Sequence, residues 1–367
     1  MYEPIRRRKT KVVRIGNIAI GGENPIAVQS MTNTKTEDVD ATVDQIFRLK
    51  EAGAEIVRVA VPTRRHIEPL KEILKQVDGQ VPIVADVHFD YKIALMAADA
   101  GVDKIRINPG NIGGKDRVRE VIRAAKANNI PIRIGVNAGS LERELIDKHG
   151  GVTADALVES AVRWINFFVD EGFEDIVVSV KSAIVPQMIE AYTKLSKLTD
   201  FPLHLGVTEA GPPKTGIVKS AIGIGTLLYQ GIGDTFRVSL TADPVEEVKA
   251  AWEILKALEI RYRGPNIIAC PTCGRTKVDL MKLVEKVEKA LENETLPIKV
   301  AVMGCEVNGP GEARMADVGI ASGLKSGVVF RKGKPIKRVR EEELVDALLE
   351  EIRRIKDEYK KNDSGSE

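Results

Sequence analysis

Cysteine is scarce in this sequence, and its scarcity excludes one class of fold. Only three cysteines occur among 367 residues, at Cys270, Cys273 and Cys305. An odd number of cysteines argues against a disulfide framework, and free thiols are typical of proteins in reducing compartments. We therefore expect a cytoplasmic chain whose thiols remain free for other chemistry.

The sequence also lacks long apolar runs and an excess of charge of one sign. No stretch reaches the roughly 18 apolar residues of a spanning helix, so we expect no membrane partner. The basic N-terminal run is followed only by IGNIAIGG, which is too short and broken for an export signal. The 55 Lys and Arg nearly balance the 53 Asp and Glu, so no domain-wide basic field recruits nucleic acid. Any anion must be bound by locally placed Arg and Lys.

What the sequence does contain, from residue 25 to about residue 260, is an alternation of short β-branched runs with amphipathic helical segments. Strands that alternate with helices favour a parallel sheet, and eight such units fit a (β/α)8 barrel, the TIM barrel. The eight strand candidates are PIAVQSMT, AEIVRVAVP, VPIVADVHF, DKIRINPG, IPIRIGVNAG, EDIVVSVKSA, PLHLGVTEAG and DTFRVSLTADP. A doubly wound sheet is the alternative, but no G-x-G-x-x-G follows the first strand.

Both ends of the chain depart from this rhythm. The segment KVVRIGNIAIGG near the N-terminus fits a hairpin that closes the barrel bottom. After residue 260 a strand, NIIACP, precedes a helix, and further β-rich segments precede a last helix. We therefore divide the chain into a barrel domain at residues 1–262 and a compact α+β domain at residues 263–367, which holds every cysteine.

Polar residues stand at the ends of the predicted barrel strands, where the active site of such a barrel lies. They are Arg58, Asp86, His88, Arg106, Asn108, Arg133, Asn137, Lys181, Ser182, His204, Thr208, Glu209, Arg237 and Ser239. Side chains alternate along a strand, so Arg133 and Asn137 share one face, as do Arg237 and Ser239.

Four arginines and a lysine are costly inside a barrel unless an anion neutralises them. Arginine suits bidentate contacts with phosphate oxygens, so the pattern predicts a small substrate with more than one negative charge, such as a diphosphate. The alternative is that individual arginines pair with barrel carboxylates or point to the helix layer. His88 and His204 could equally be hydrogen-bonded structural residues.

Glu209 lies in GVTEAGPPKTG, between a strand and a loop rich in Pro and Gly. A carboxylate at this position serves as a general acid or base if burial raises its pKa. Its alternative role is to pair with a neighbouring arginine.

The three cysteines indicate a metal or cluster site. The C-x2-C of CPTCGR is most often explained by structural zinc, but only Cys305 follows it and residues 263–367 contain no histidine. Iron–sulfur clusters are bound by thiolates, and a fourth ligand other than cysteine leaves one iron able to bind substrate. Glu312, across the Gly-Pro-Gly turn from Cys305, is the best candidate for that ligand. Glu306 is nearer, but adjacent side chains tend to point apart.

Taken together, CPTCGR, MGCEVNGPGEA, QSMTNT, RINPGNIG, RIGVNAGSLE and LGVTEAG make the sequence resemble the 4-hydroxy-3-methylbut-2-enyl diphosphate synthase family over essentially its whole length. The resemblance implies a (β/α)8 barrel followed by a ferredoxin-like domain of the sulfite-reductase type. It implies a 4Fe–4S cluster on Cys270, Cys273, Cys305 and Glu312.

The substrate implied by the resemblance is 2-C-methyl-D-erythritol 2,4-cyclodiphosphate. Its diphosphate is expected at the matching positions, which are Arg58, Arg106, Arg133, Asn137, Lys181, Thr208, Arg237 and Ser239. Glu209 is expected to handle a proton, with Asp86 and His88 assisting. The resemblance also implies electrons from reduced flavodoxin or ferredoxin. It further implies a head-to-tail homodimer, in which the cluster domain of one chain closes over the barrel of the other.

Two other functions stay open on the residues alone. The first is a barrel enzyme similar to dihydropteroate synthase with a zinc-bound structural appendage, which would need no reductant. The second is an iron–sulfur sensor or electron carrier, which leaves the strand-end arginines, Lys181 and Glu209 unexplained.

Overall fold

The computed structural model describes residues 4–276, 278–305 and 313–363 of the chain. The chain divides into two compact units, Met1–Arg261 and Tyr262–Glu367. No helix in the described residues is both long and apolar enough to cross a membrane.

The first unit is built around an eight-stranded parallel sheet. A hairpin precedes it, formed by β1 (Val13–Ile15) and β2 (Ile18–Ile20). The sheet strands are β3 (Ala27–Met31), β4 (Ile56–Ala60), β5 (Ile83–Val87), β6 (Lys104–Ile107), β7 (Ile132–Asn137), β8 (Ile176–Lys181), β9 (His204–Leu205) and β10 (Thr235–Phe236). Their order is β8-β7-β6-β5-β4-β3-β10-β9, and a parallel bridge between Val178 and Leu203 joins the two ends. The predicted (β/α)8 barrel is confirmed, and the doubly wound alternative is excluded.

Helices follow the strands and cover the outside of the barrel. They are α1 (Val39–Ala52), α2 (Ile67–Val77), α3 (Tyr91–Asp99), α4 (Pro109–Ile112), α5 (Lys115–Asn128), α6 (Arg143–His149), α7 (Ala154–Asp170), α8 (Val185–Leu195), α9 (Pro213–Tyr229) and α10 (Pro244–Ala257). Side-chain caps begin several of them: Asp38 accepts a hydrogen bond from the Ala41 amide, and Asp243 accepts one from the Val245 amide. Such caps satisfy amides that the first helical turn leaves without partners.

The two faces of the barrel strands differ sharply in chemistry. The outward residues, such as Val57, Ile105 and Ile134, join the core beneath the helices. At the N-terminal ends of the strands the hairpin packs its buried residues against Ile56 and Val84. The hairpin therefore closes the barrel bottom with apolar contacts, as the sequence predicted. Most of the polar residues that face the axis lie nearer the opposite end.

Two barrel strands are shorter than the sequence predicted. Thr208 and Glu209 lie in the loop after β9, while Arg237 and Ser239 follow β10. Gly206 explains part of the difference, because a Cβ there would lie 2.7 Å from Lys181 Nζ and 2.8 Å from the Arg237 carbonyl oxygen. The backbone after β9 approaches Lys181 and Arg237 too closely here for a residue with a side chain to continue the strand.

The second unit is an α+β sheet domain, as expected. Its strands are β11 (Asn266–Ala269), β12 (Lys299–Met303), β13 (Val318–Ser322), β14 (Ser326–Arg331) and β15 (Lys334–Arg340). They follow one another in chain order in the sheet. The strands β11, β12 and β13 are parallel, whereas β14 pairs antiparallel with both β13 and β15. The helices α11 (Leu280–Leu291) and α12 (Leu344–Asp363) share one apolar cluster with this sheet.

Candidate active site

The axis-facing side of the barrel is polar along most of its length. Alternation assigns the side chains, because Ile105 and Ile107 pack under the helices and leave Lys104 and Arg106 to the interior. The polar residues on this side are Gln29, Arg58, Asp86, His88, Lys104, Arg106, Asn108, Arg133, Asn137, Ser179, Lys181, His204, Thr208, Thr235, Arg237 and Ser239. Met31 lies on the same side. Barrel interiors are usually filled with Val, Ile and Leu, so this composition indicates a binding site.

Asp86 holds two of the predicted arginines. Its Oδ1 lies 3.1 Å from Arg106 Nη1, and its Oδ2 lies 3.5 Å from Arg58 Nε. Burial by itself would raise the pKa of Asp86, but the two guanidinium groups outweigh burial and hold that pKa below its ordinary value. Asp86 is therefore a fixed carboxylate at neutral pH. It orients arginines and has no proton to donate.

Arg106 is the centre of a second set of contacts. Its Nη1 donates to His88 Nε2 at 2.8 Å. Its Nη2 donates to the Asn137 amide oxygen at 3.0 Å when that amide is oriented with its oxygen toward Arg106, the orientation that gives both amide atoms partners. Because arginine can only donate, His88 Nε2 must be the unprotonated nitrogen. Burial, with help from Arg106, lowers the pKa of His88, which favours the same neutral form. Gly135 makes room for this arrangement, since a Cβ there would lie 2.9 Å from Arg106 Nε.

Arg58 and Arg237 meet at a methionine sulfur that the sequence did not reveal. Met31 Sδ lies 3.1 Å from Arg58 Nε and 3.8 Å from Arg237 Nη1. Burial lowers the pKa of Arg58 to about 10, and the nearby Arg237 adds to the effect. Arg237 is further paired with Glu247 of α10. A carboxylate at a buried position of a helix is the one sequence signal that could have indicated Glu247.

Several buried side-chain nitrogens in the interior have no hydrogen-bond partner among the described residues. Arg133 is 1% exposed, yet its Nε and Nη1 make no hydrogen bond there, and neither do Arg106 Nε or the ring nitrogens of His204. Burial lowers the pKa values of Arg133, Lys181 and His204 well below their ordinary ranges, and the neighbouring cations lower them further. Buried donors are normally satisfied, so this cluster is suited to a ligand that brings acceptor oxygens and negative charge.

One buried cation was missed entirely by the sequence argument. Lys104 is 0% exposed on β6, and its Nζ reaches across the barrel to Gln29 Oε1 at 3.4 Å. Burial lowers the pKa of Lys104 well below its ordinary value, and the nearby Arg133 and Arg58 lower it further. Lys104 lies at the start of its strand, whereas the active-site residues of such barrels are expected at the C-terminal strand ends.

The structure places Glu209 differently from the other predicted residues. Glu209 is exposed in the loop after β9, with a left-handed φ of 51°. The burial on which its predicted acid–base role depended is therefore absent in this chain. Thr208 and Ser239 are partly buried at the same end of the barrel, where both follow short strands.

In the second unit, two cysteines stand at the ends of neighbouring strands. Cys270 follows β11 and Cys305 follows β12, and these strands pair in parallel. The Gly304 amide donates to Cys270 Sγ at 3.3 Å, which brings the loop after β12 against that thiol. Gly304 has no room for a side chain larger than hydrogen without a shift, because a Cβ would lie 3.0 Å from Thr276 Cγ2.

Cys273 and Cys305 differ in their exposure to solvent. Cys273 is exposed, whereas Cys305 is 8% exposed. Hydrogen bonds from Arg275, first from its backbone and then from its side chain, lower the pKa of the Cys273 thiol. A lowered thiol pKa favours the thiolate, which is the form that binds metals.

The donor set fits a thiolate-bound iron–sulfur group. It combines thiols at adjacent strand ends, an amide aimed at one sulfur and no histidine anywhere in residues 263–367. Among the described residues, no three His, Cys, Asp or Glu side chains lie close enough to bind a single metal ion. A cluster does not require that closeness, since its thiolates bind different irons. Glu306 and Glu312 lie outside the described residues.

Solved structures of similar shape support the barrel only as a fold. A variant of HPPK-DHPS from Plasmodium falciparum superposes with a TM-score of 0.51 at 15% identity, covering 77% of this chain and 54% of that one. Dihydropteroate synthase from Burkholderia cenocepacia gives a TM-score of 0.50 at 14% identity, covering 68% of this chain and 98% of that one. At such low identity, shared architecture says nothing about shared chemistry.

Proteins related by sequence have far higher identity to this chain than these solved structures do. The chain is 55% identical over 349 residues to 4-hydroxy-3-methylbut-2-en-1-yl diphosphate synthase (flavodoxin) of Caldanaerobacter subterraneus subsp. tengcongensis, covering 95% of this chain and 98% of that protein. It is 57% identical to the protein of the same name from Nitratidesulfovibrio vulgaris, covering 95% and 90%. Family models match on both units: the GcpE TIM-barrel domain over residues 10–252, and the GcpE protein C-terminal domain over residues 266–354. The chain therefore belongs to the GcpE family.

Proposed function

We propose that this chain is an iron–sulfur oxidoreductase of isoprenoid precursor synthesis. It opens the ring of 2-C-methyl-D-erythritol 2,4-cyclodiphosphate and removes a hydroxyl as water, giving (E)-4-hydroxy-3-methylbut-2-enyl diphosphate. The reaction consumes two electrons and two protons. The observation that carries the proposal is the group of buried guanidinium nitrogens on Arg133 and Arg106 without acceptors among the described residues. The names of the relatives supply the identity of the product.

The barrel domain, residues 1–262, binds the diphosphate. Arg58 and Arg106 are held in place by Asp86, so they need little reorganisation when the anion arrives. Arg133, Lys181 and Arg237 add charge from other strands, and the remaining polar contacts come from Asn137, Thr208 and Ser239. As the ring C–O bond breaks, negative charge develops on the departing phosphate oxygen, and the fixed cations stabilise it.

The C-terminal domain, residues 263–367, holds the electron-transfer group. Enzymes of the GcpE family are iron–sulfur proteins, and we assign a 4Fe–4S cluster to Cys270, Cys273, Cys305 and Glu312. When bound, such a cluster supplies single electrons and a Lewis-acidic iron. The three cysteine thiolates would hold it, and Glu312 would supply its one ligand other than cysteine. Reduced flavodoxin is the proposed donor, with ferredoxin as the alternative, and both fit an enzyme of the cytoplasm.

Purified protein tests this function directly. The chain is isolated without oxygen, analysed for iron, sulfide and zinc, and assayed with the cyclodiphosphate and reduced flavodoxin. We expect about four iron and four sulfide per chain and reductant-dependent product. One zinc without sulfide would overturn the reductase mechanism and favour a barrel enzyme with a structural metal.

Glu209 is proposed to transfer the proton that lets the C3 hydroxyl leave as water, in a working assembly whose second chain covers this exposed loop and shields the carboxylate from water. His88 accepts a hydrogen bond from Arg106 and Asp86 is ionised, so neither is arranged as the donor. Replacing Glu209 by Gln should lower kcat by about 10²- to 10⁴-fold with little change in KM, since the amide cannot give up a proton at neutral pH.

The matched control for that substitution is Glu259→Gln. Glu259 is likewise exposed and has a left-handed φ of 55°, but it lies after α10. It should retain the wild-type kcat. If Glu209→Gln also kept full kcat, the proposed proton role of Glu209 would be refuted.

A head-to-tail homodimer is proposed as the working assembly, with each active site built from the barrel of one chain and the cluster domain of the other. Co-expressing an Arg133→Met chain with a Cys305→Ser chain tests it, because only a mixed dimer then contains one intact composite site. At a substrate concentration near the wild-type KM, equal mixing should restore about a quarter of wild-type activity. By itself Arg133→Met should be nearly inactive at that concentration because its KM is raised, and Cys305→Ser should be inactive because it lacks a cluster ligand. No recovery in a preparation shown by tagged purification to contain mixed dimers would contradict the arrangement.

A further inference from the structure

Glu247 is a buried carboxylate of the outer helix layer that contacts residues of the barrel strands. It lies in the first turn of α10 and is 2% exposed. Its Oε2 accepts from Arg237 Nε at 3.1 Å and from Ser30 Oγ at 3.3 Å. Its Oε1 accepts from Arg237 Nη2 at 3.0 Å and from the Leu240 amide at 2.9 Å. Both oxygens are therefore satisfied, which a buried carboxylate requires.

The two contacts with Arg237 fix the plane of its guanidinium group. A bidentate carboxylate holds one edge of arginine through parallel N–H bonds, which sets direction as well as distance. Nε and Nη2 are occupied, so Nη1 is the terminal nitrogen that remains directed away from Glu247. Nη1 lies 3.8 Å from Met31 Sδ, on the axis-facing side of the barrel. A thioether is a weak acceptor that a phosphate oxygen can readily replace.

Through its contact with the Leu240 amide, Glu247 also fixes the position of the loop after β10. Ser239 lies between Arg237 and Leu240, so Glu247 holds the chain on both sides of it. The Leu240 side chain packs against Gly216 of α9, where a Cβ would lie 2.6 Å from Leu240 Cδ2. This segment is thus held from the helix layer as well as from the barrel.

We propose that Glu247 is a positioning residue for diphosphate binding, acting through Arg237 and Ser239. The inference rests on the function proposed above. Glu247 aims Arg237 Nη1 and the Ser239 segment at the place where the phosphate oxygens bind. It also neutralises Arg237 inside the wall, which leaves the other buried cations to attract the anion.

The test compares Glu247→Gln with wild type in turnover and in binding of pyrophosphate. Glutamine keeps the size of the side chain, but its amide nitrogen cannot accept from Arg237, so the guanidinium plane is released. We expect KM for the cyclodiphosphate and Kd for pyrophosphate each to rise about tenfold or more, while kcat changes by less than about threefold. The control is Glu246→Gln, one residue earlier, where an exposed carboxylate pairs with Lys249 at 3.3 Å. That variant should match wild type.

A double-substitution cycle guards against a merely structural effect. The Arg237→Met, Glu247→Met chain removes both partners together and should bind pyrophosphate only slightly more weakly than Arg237→Met does by itself, because the effect of Glu247 through Arg237 is already lost and only its contact with the Leu240 amide remains to be removed. Additive losses, or unchanged KM and Kd in Glu247→Gln, would overturn the proposal. Pyrophosphate binding separates this result from the proposed function. If wild type bound pyrophosphate but did not turn over the cyclodiphosphate, only the proposed function would fail.

Discussion

Replacing Cys305 by Ser should abolish reductive turnover and leave the barrel intact. Serine nearly matches cysteine in size, but its hydroxyl stays protonated at neutral pH and does not replace a thiolate on iron. Cys305 is buried at the end of β12, beside the amide that donates to Cys270 Sγ, so water has little access to substitute for the missing ligand. We expect kcat to fall by about 10³-fold or more, equivalent to at least about 4 kcal/mol of lost transition-state stabilisation.

Iron content, the visible spectrum and steady-state turnover measure this effect together. Ser322→Ala is the matched control, since Ser322 lies buried in β13 of the same sheet and its Oγ makes no hydrogen bond among the described residues. It should keep iron, sulfide and activity. Pyrophosphate affinity should be equal in wild type and Cys305→Ser, because the barrel is untouched. A fully active Cys305→Ser chain with a normal cluster would refute the assignment of this ligand.

Replacing Arg133 by Met should have two opposite effects, weaker binding and greater stability. Losing a buried, charge-assisted contact to the diphosphate costs about 2–5 kcal/mol, so KM should rise by about 30-fold or more. The unliganded protein should gain about 1–3 kcal/mol in its free energy of unfolding. The reason is that Arg133 is a fully buried cation whose Nε and Nη1 make no hydrogen bond among the described residues.

Urea unfolding without ligand and calorimetric binding of pyrophosphate measure these two quantities separately. Arg123→Met is the control: Arg123 is an exposed arginine of α5, paired with Glu120. Its substitution should change stability by less than about 0.5 kcal/mol and leave binding unaffected. Loss of stability in Arg133→Met with unchanged KM would mean that Arg133 serves the fold rather than the substrate.

The interior of the barrel shows how the fold accommodates a binding site of this charge. Apolar residues of the hairpin close one end, and the outward face of each strand supplies the main core. Those contacts provide stability without help from the polar axis-facing residues. The interior can therefore hold groups, such as Lys104 and Arg133, that would weaken a barrel relying on its centre for packing.

The sequence by itself determined the strand and helix alternation, the eight barrel strands and which residues of a strand share a face. Those features depend on local periodicity, because a side chain two positions along a strand returns to the same face. It also determined that Cys270, Cys273 and Cys305 belong to one short domain without histidine. Family resemblance added the chemistry that these positions perform.

Only the tertiary structure decided which partner each charged group meets. Asp86 and Arg106 lie 20 residues apart and become neighbours through the register of β5 and β6. Glu247 reaches Arg237 from a helix outside the barrel. Glu209, which the sequence placed at a strand end, lies exposed in the loop after β9. Periodicity specifies the direction of a side chain relative to its own strand. Distances across the barrel depend on strand register and closure, which are set by packing of the whole chain.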